Sequence, residues 1–253
     1  MEHLLIQLAK AISTKESAAL VTVIETKGAS PAKVGAQLLY FQNGITAGTV
    51  GGGKLEASIL KDTEKDFTDH KCGLHHYQLT EEGKDSIGTL CGGEMTVFVQ
   101  TYFPPPQLVI VGGGHIGRPL KIMGEAAGFD VVVVDVAPGR ATLPELEKVN
   151  LNNSSYIVLI TTDHVSDEAA MRIAFKSPTP YIGMIGSLAK WSAIRQHLST
   201  SGFSDSDFSR IFAPIGLDLG GPSPEEIAVA ILAEVVAARH QHFENNSVPL
   251  RRS

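Results

Sequence analysis

Three glycines and an aspartate are spaced for nucleotide chemistry in this chain, and one glycine-flanked cysteine is placed for thiol chemistry. Residues 108–117 read LVIVGGGHIG, and a second apolar run, FDVVVVD, follows at 129–135. Gly112, Gly114 and Gly117 fit G-x-G-x-x-G where a short uncharged β run turns into a helix. The first glycine of such a motif permits the tight turn. The second lets backbone approach a pyrophosphate, and the third lets the helix pack close to the strand. The helix start at His115 would offer N–H groups and a positive dipole end to phosphates. Pro119 falls in the first turn, where a missing N–H costs little, and Gly128 suits the C-cap. Asp135 lies 18 residues after Gly117, near the ~20 expected of a carboxylate that holds a ribose diol. The pattern predicts a nucleotide-binding Rossmann unit. Its alternative is a Rossmann-like fold whose glycines serve packing alone.

The part of the chain before this motif holds three small-residue clusters: Gly28-Ala-Ser30-Pro31 with Lys33, Gly51-Gly52-Gly53 with Lys54 and Glu56, and Cys91-Gly92-Gly93. Glycine runs cost backbone entropy and are tolerated where backbone must come close to something. The triplet precedes an expected helix and would make an anion nest. Taken singly, each cluster reads better as a tight turn; three in one region favour a site. The glycines beside Cys91 leave its thiol accessible. Thiolate reactivity needs a helix end or a nearby cation, and Lys33 and Lys54 are the cations on offer. The other reading of Cys91 is a buried, inert thiol. His70-x-Cys72-x-x-His75-His76 lacks a fourth ligand at zinc spacing and reads as a solvated loop. Asp163-His164 with Asp167 opens a later helix, and Asp163 or Ser166 reads better as an N-cap than as part of a catalytic pair. No nucleophile elbow, H-E-x-x-H or C-x-x-C occurs.

The scaffold that carries these residues is bounded by length and composition, and 253 residues admit one large domain or two modest ones. A hydrophobic content of 43% and a charged content of 19% describe an ordinary core-forming chain. A net charge of −6 and a pI near 5.8 argue against nucleic-acid binding. No run reaches the ~18 apolar residues of a membrane span, the first residues do not read as a signal peptide, and two cysteines suit a reducing cytoplasm. Three prolines at 104–106 stop helix and central strand alike, which sets the expected boundary between domains 1–103 and 104–253. Before it, helices are expected at 3–13 and 54–70 and strands at 19–26, 36–41 and 94–101, with Leu55 and Ile59 on one helix face and Asp62 and Thr63 on another. After it, strands at 108–112, 130–135, 156–161 and 180–185 alternate with helices at 115–127, 166–175, 187–199 and 224–240. The expected fold is therefore α/β. A C-terminal Rossmann-like parallel sheet with helices on both faces follows a smaller mixed α/β domain. Thr161, Asp163, His164, Gly186 and Ser187 fall at the carboxyl ends of strands, where such sheets bind ligands. The last helix is apolar nearly all round, which fits either dimerisation or partner docking, or burial within its own domain.

In order, the chain carries G-A-S-P, G-T-V-G-G-G-K-L-E, C-G-G-E, the proline break, G-G-G-H-I-G, Y-I-G-M-I-G-S-x-x-K and A-P-I-G-L-D-L-G…P-E-E-I-A-V-A-I-L-A-E. This order resembles the xanthine dehydrogenase accessory protein family of the XdhC/CoxI type over nearly the whole length. The resemblance implies a molybdenum-cofactor (molybdopterin) chaperone. Such a protein holds the cofactor while a cysteine desulfurase partner supplies its sulfur, and passes it to a xanthine-dehydrogenase-type apoenzyme. It implies Cys91 as the functional thiol and metal contact. It also implies cofactor contacts at Ser30, Lys33, Gly51, Gly52, Gly53, Glu56, Gly92, Gly93, Gly112, Gly114, His115, Gly117, Asp135, Gly186 and Ser187. Two departures stand out: Ala32 sits where an arginine is frequent, and Lys54 where some members have cysteine. The alternative function is an NAD(P)-dependent oxidoreductase using the Rossmann unit, and a third is a regulatory subunit responsive to nucleotide. The expected assembly is a homodimer.

Overall fold

The computed structural model describes residues 2–79, 92–135, 139, 142–221 and 223–240. The chain divides into two compact units, Met1–Pro104 and Pro105–Ser253. The first contains α1 (Glu2–Ser13), β1 (Ala18–Lys27), β2 (Gln37–Phe41), β3 (Thr46–Gly48), α2 (Gly53–Thr68), β4 (Gly73–Gln78) and β5 (Glu94–Tyr102). Its sheet is antiparallel, in the order β3-β2-β1-β5-β4. Alternation along β1 assigns its two faces. Ala18 and Leu20 pack with Leu8 and Ala11 of α1, whereas Ala19, Val21 and Val23 pack with Leu55 and Ile59 of α2.

The structure corrects two expectations in this unit. Residues 73–78 form an edge strand, not a solvated loop, and the polar sequence hid it: His75 and Tyr77 face α2 as hydrogen-bonding groups. His75 Nε2 meets the buried Asp66 at 2.6 Å, and the Tyr77 hydroxyl donates to Asp62 at 2.7 Å. Burial first, and then this carboxylate, push the Tyr77 phenol upward from its usual value. Thr63 does not start a separate face. It continues the buried stripe Leu55, Ile59, Thr63, Asp66, its hydroxyl donating back to the Ile59 carbonyl.

The second unit contains β6 (Gln107–Val111), α3 (Gly117–Ala126), β7 (Asp130–Val134), α4 (Pro144–Glu147), β8 (Ser155–Leu159), α5 (His164–Phe175), β9 (Tyr181–Met184), α6 (Leu188–Thr200), α7 (Asp205–Phe208), β10 (Ile211–Phe212) and α8 (Pro224–Arg239). All its strand pairings are parallel, in the order β10-β9-β8-β6-β7. It is an α/β Rossmann domain. Leu108 and Ile110 face α3 and α8, while Val109 and Val111 face α4, α5 and α6. A sheet covered on both sides explains the uninterrupted apolar strands. After β7 the chain crosses to β8 on the far side of β6. The strand order therefore reverses at β6, and the crevice at its carboxyl end is the topological switch point.

The helix α8 is largely buried within this unit. Ala228, Ala230, Ile231 and Val235 are inside, Val229 is exposed, and the carboxylate of the buried Glu234 accepts from the Tyr181 hydroxyl at 2.7 Å. A capping box on Ser223 and Glu226 with Pro224 at the start fixes its N-terminus. Among the described residues no helix is long and apolar enough to cross a membrane.

Candidate functional site

At the switch point, Gly112 adopts φ +121°, a left-handed region that glycine enters without strain. A Cβ there would lie 2.6 Å from the Ile160 carbonyl oxygen, and one on Gly117 would lie 2.1 Å from the Gly112 carbonyl oxygen. These two glycines let β6, β8 and α3 close on one another. Gly114 differs: a Cβ on it would meet nothing within 4 Å. The Arg118 N–H bonds the Gly114 carbonyl, so the N–H groups of 114–117 precede any acceptor in their own helix. The first turn of α3 has no acidic residue. His115 is exposed beside this turn. Asp135, at the end of β7, accepts from the Gly113 N–H at 3.3 Å. The result is an open backbone cradle with a carboxylate at its side. Downstream, Gly128 (φ +81°) lies one residue past the Ala127 C-cap, where the Phe129 N–H returns to the Gly124 carbonyl.

One strand further on, Asp163 N-caps α5, accepting from the Ser166 N–H and hydroxyl and from the Gly139 N–H. The Gly139 bond, opposed by burial and joined by those from Ser166, holds its carboxyl below the usual carboxylate range. Ser187 N-caps α6, accepting from the Lys190 N–H. Gly186, at φ +142°, leaves room for the stem of Lys190; a Cβ there would sit 2.7 Å from its Cδ. Gly186 and Ser187 lie at the carboxyl edge expected from their spacing, and what they position is Lys190. The Lys190 ammonium reaches the fully buried Asp167 at 2.5 Å, and the Thr161 hydroxyl donates to the other oxygen of Asp167 at 2.7 Å. Burial pushes the Asp167 carboxyl upward against both partners. The lysine of Y-I-G-M-I-G-S-x-x-K was the available signal. Thr162, Asp163, His164, Glu168, Lys190, Ala193, Ile194 and His197 line a groove of about 510 Å³ beside this pair.

In the first unit the three small-residue clusters converge. A Cβ on Gly93 would lie 2.2 Å from the Ala29 carbonyl oxygen, one on Gly28 would lie 3.2 Å from the Gly93 Cα, and one on Gly51 would lie 3.1 Å from Pro31 Cγ. Gly52, Gly53 and Gly92 have open space where a Cβ would stand. Ser30 donates to the Ala32 carbonyl, and Lys33 is exposed. The expected anion nest before α2 is filled from within the chain. Glu56 Oε2 accepts from the Thr49 hydroxyl at 2.5 Å and from the N–H groups of Val50 and Gly52 at 3.0 and 3.2 Å. Burial works against the charge, yet these three donors hold the Glu56 carboxyl below its usual value. Cys91 lies outside the described residues. Cys72 is exposed, and no group of three or more His, Cys, Asp or Glu is placed to hold a metal ion among the described residues.

These features can be set beside known proteins. The model of the XdhC Rossmann domain matches residues 108–235, and that of the XdhC and CoxI family matches residues 11–78. The chain belongs to the XdhC and CoxI family. Escherichia coli (strain K12) YqeB, described as uncharacterized, is 26% identical over 88% of the chain and 43% of its own length. A protein of Bacillus subtilis (strain 168) described as a probable subunit of xanthine dehydrogenase is 29% identical over 56% of the chain and 46% of its own. The chain thus spans less than half the length of these two relatives. The molybdenum cofactor insertion chaperone PaoD of Escherichia coli (strain K12) is 21% identical over 95% of the chain and 89% of its own. A solved structure of a xanthine dehydrogenase from Bacillus halodurans superposes with a TM-score of 0.47 at 19% identity, covering 93% of this chain and 96% of that one.

Proposed function

We propose that this XdhC-family chain is a molybdenum-cofactor accessory protein. It binds the cofactor, holds it while a cysteine desulfurase supplies its sulfur, and delivers it to a xanthine-dehydrogenase-type apoenzyme. The observation that carries this reading is the open cradle at Gly114 in a family member related to a cofactor insertion chaperone. The residues present fit the phosphate end of such a cofactor. Gly112 and Gly117 shape the turn, and the space at Gly114 is open where a Cβ would stand, at the N–H end of α3 where Gly114 and His115 lie. When bound, the cofactor supplies a planar pterin and a soft, dithiolene-held metal. Taken by itself, the first unit is proposed to offer Cys91 as a soft contact to a molybdenum centre, next in sequence to Gly92, where space is open. Ser30, Lys33 and Gly51–Gly53 form the proposed wall of the same region. Glu56 acts there by holding the glycine loop in shape, and Gly186 and Ser187 act by positioning Lys190.

A second reading, NAD(P) at the cradle, is favoured by Asp135, whose carboxylate stands where a ribose diol is held in dinucleotide-binding domains. One experiment separates the two. The purified protein is incubated with molybdenum cofactor or with NAD(H) and re-isolated, and its absorbance and metal content are measured. Retained molybdenum that falls in Cys91→Ala but not in Cys72→Ala supports the accessory role. Retained NAD(H) without molybdenum overturns it in favour of the second reading.

A further inference from the structure

We propose that the groove between α5 and α6 is a second ligand site of the Rossmann unit, taking an organic anion: a phosphate or carboxylate group on an apolar body. The groove is built at the ends of β8 and β9, whereas the glycine cradle is built at the end of β6.

The donors and acceptors around the groove are unequally committed. Two carboxylates line it, and both are spent within the protein. Asp163 Oδ1 accepts from the Ser166 N–H, and its Oδ2 accepts from the Gly139 N–H and the Ser166 hydroxyl. Glu168 Oε1 accepts twice from Arg172, and its Oε2 meets His197 Nδ1 at 2.7 Å. The donors keep capacity. An ammonium has three N–H groups; Lys190 gives one to Asp167 and a long one, 3.4 Å, to the Ile185 carbonyl. The exposed His164 ring has no partner among the described residues, and either tautomer presents an N–H. His197, held by Glu168, adds a second N–H in its imidazolium form. Ala193 and Ile194 supply an apolar wall. The volume of about 510 Å³ lies within the ~300–1,000 Å³ of small-molecule sites. A cavity with surplus donors, satisfied carboxylates and an apolar wall selects an acceptor-rich anion over a cation or a neutral polyol. The lysine is also fixed in advance: buried Asp167 and the space left at Gly186 set its direction.

The test uses the full chain and follows the ring signals of His164 and His197 by NMR during titration with phenyl phosphate, benzoate and neutral benzyl alcohol. Saturable shifts at both histidines with at least one anion, and none with benzyl alcohol, are expected. The stronger of phenyl phosphate and benzoate tells phosphate from carboxylate. Ala193→Phe, an exposed position that fills the groove, should abolish the shift at His197. His164→Ala and Lys190→Met should each weaken binding by about tenfold, the worth of one charge-assisted hydrogen bond. Gly114→Val should leave it unchanged, so loss of cradle binding and loss of groove binding are told apart. If Lys190→Met does not fold, Ala193→Phe and His164→Ala decide. No saturable shift up to about 10 mM of either anion, equal binding of benzyl alcohol, or unaltered binding in Ala193→Phe overturns the proposal.

Discussion

The turn before α2 and the turn before α3 are both glycine-rich strand-side loops that open a helix, yet they treat their N–H groups in opposite ways. Before α2, Glu56 lies in the first turn and folds back onto Val50 and Gly52. The loop carries its own anion. Before α3 the first turn has no acidic residue, and the space over Gly114 is open. A helix N-terminus favours negative charge wherever it comes from. One such charge, placed by the chain itself, converts a prospective ligand site into a structural cap. Glycine content alone therefore does not distinguish a cradle from a turn; the place of the internal carboxylate does, since Glu56 closes on Val50 and Gly52 from within the first turn, whereas Asp135 stands at the side on Gly113 and leaves the space at Gly114 open.

Five substitutions, one of them made on top of another, test this contrast and the Lys190–Asp167 pair. The largest loss is expected for Gly117→Ala, because the added carbon meets backbone at 2.1 Å and backbone cannot swing aside. The Rossmann unit should lose about 3 kcal/mol, measured by urea unfolding; a loss below about 1 kcal/mol would mean α3 moves freely. Next is Lys190→Met, which leaves Asp167 without its cation. A fully buried pair broken this way costs ~3–5 kcal/mol, discounted here to about 2 because the lysine side chain is 25% exposed. Asp167→Asn on top of Lys190→Met should recover part of it, since the uncompensated charge is then gone, and a double variant no more stable than the single would contradict this.

A smaller effect, about 1.5 kcal/mol, is expected of Glu56→Gln, which weakens bonds from three donors. Its pH signature is the sharper test. The folded carboxyl is held below its unfolded value, so its contribution is fully present above the unfolded value, about pH 4.3. It is lost as pH falls through the folded value. Wild type and Glu56→Gln should therefore differ in stability near neutrality and converge in acid; a difference that persists in acid would place the role of Glu56 elsewhere. The smallest structural effect belongs to Gly114→Val, within about 0.5 kcal/mol, because its surroundings are open. Calorimetry with the ligand that wild type retains should nevertheless show binding lost. Unchanged binding would make the cradle a turn like the one before α2, lacking only its glutamate.

How much of this could be read in advance depends on how local each feature is. The β6–α3–β7 unit was legible because strand, glycines, helix and second strand follow one another within about thirty residues, and its apolar strands are buried on both faces. The N-cap at Asp163 and the start of α8 at Pro224 were legible for the same reason. The edge strand β4 was not. Its inward residues are His75 and Tyr77, which meet Asp66 and Asp62 of α2 by hydrogen bonds, so the apolar alternation that marks a strand is missing. Short α4, α7, β3 and β10 carry too few residues for any periodicity to show.

The site residues divide along the same line. Residue type and spacing alone determined the family order of motifs, the parallel sheet with helices on both faces, and the candidate loops at its carboxyl edge. These rest on short-range sterics and on burial, which recur wherever the pattern recurs. Tertiary structure alone decided which carboxylate answers which donor. Glu56 turns inward to its own loop, Asp135 reaches Gly113 from the neighbouring strand, and Lys190 crosses from α6 to Asp167, 23 residues earlier. Charge pairs of this kind form between elements that only packing brings together. Their partners are set by the direction of side chains across a closed core, and the order of residues along the chain holds no record of that direction.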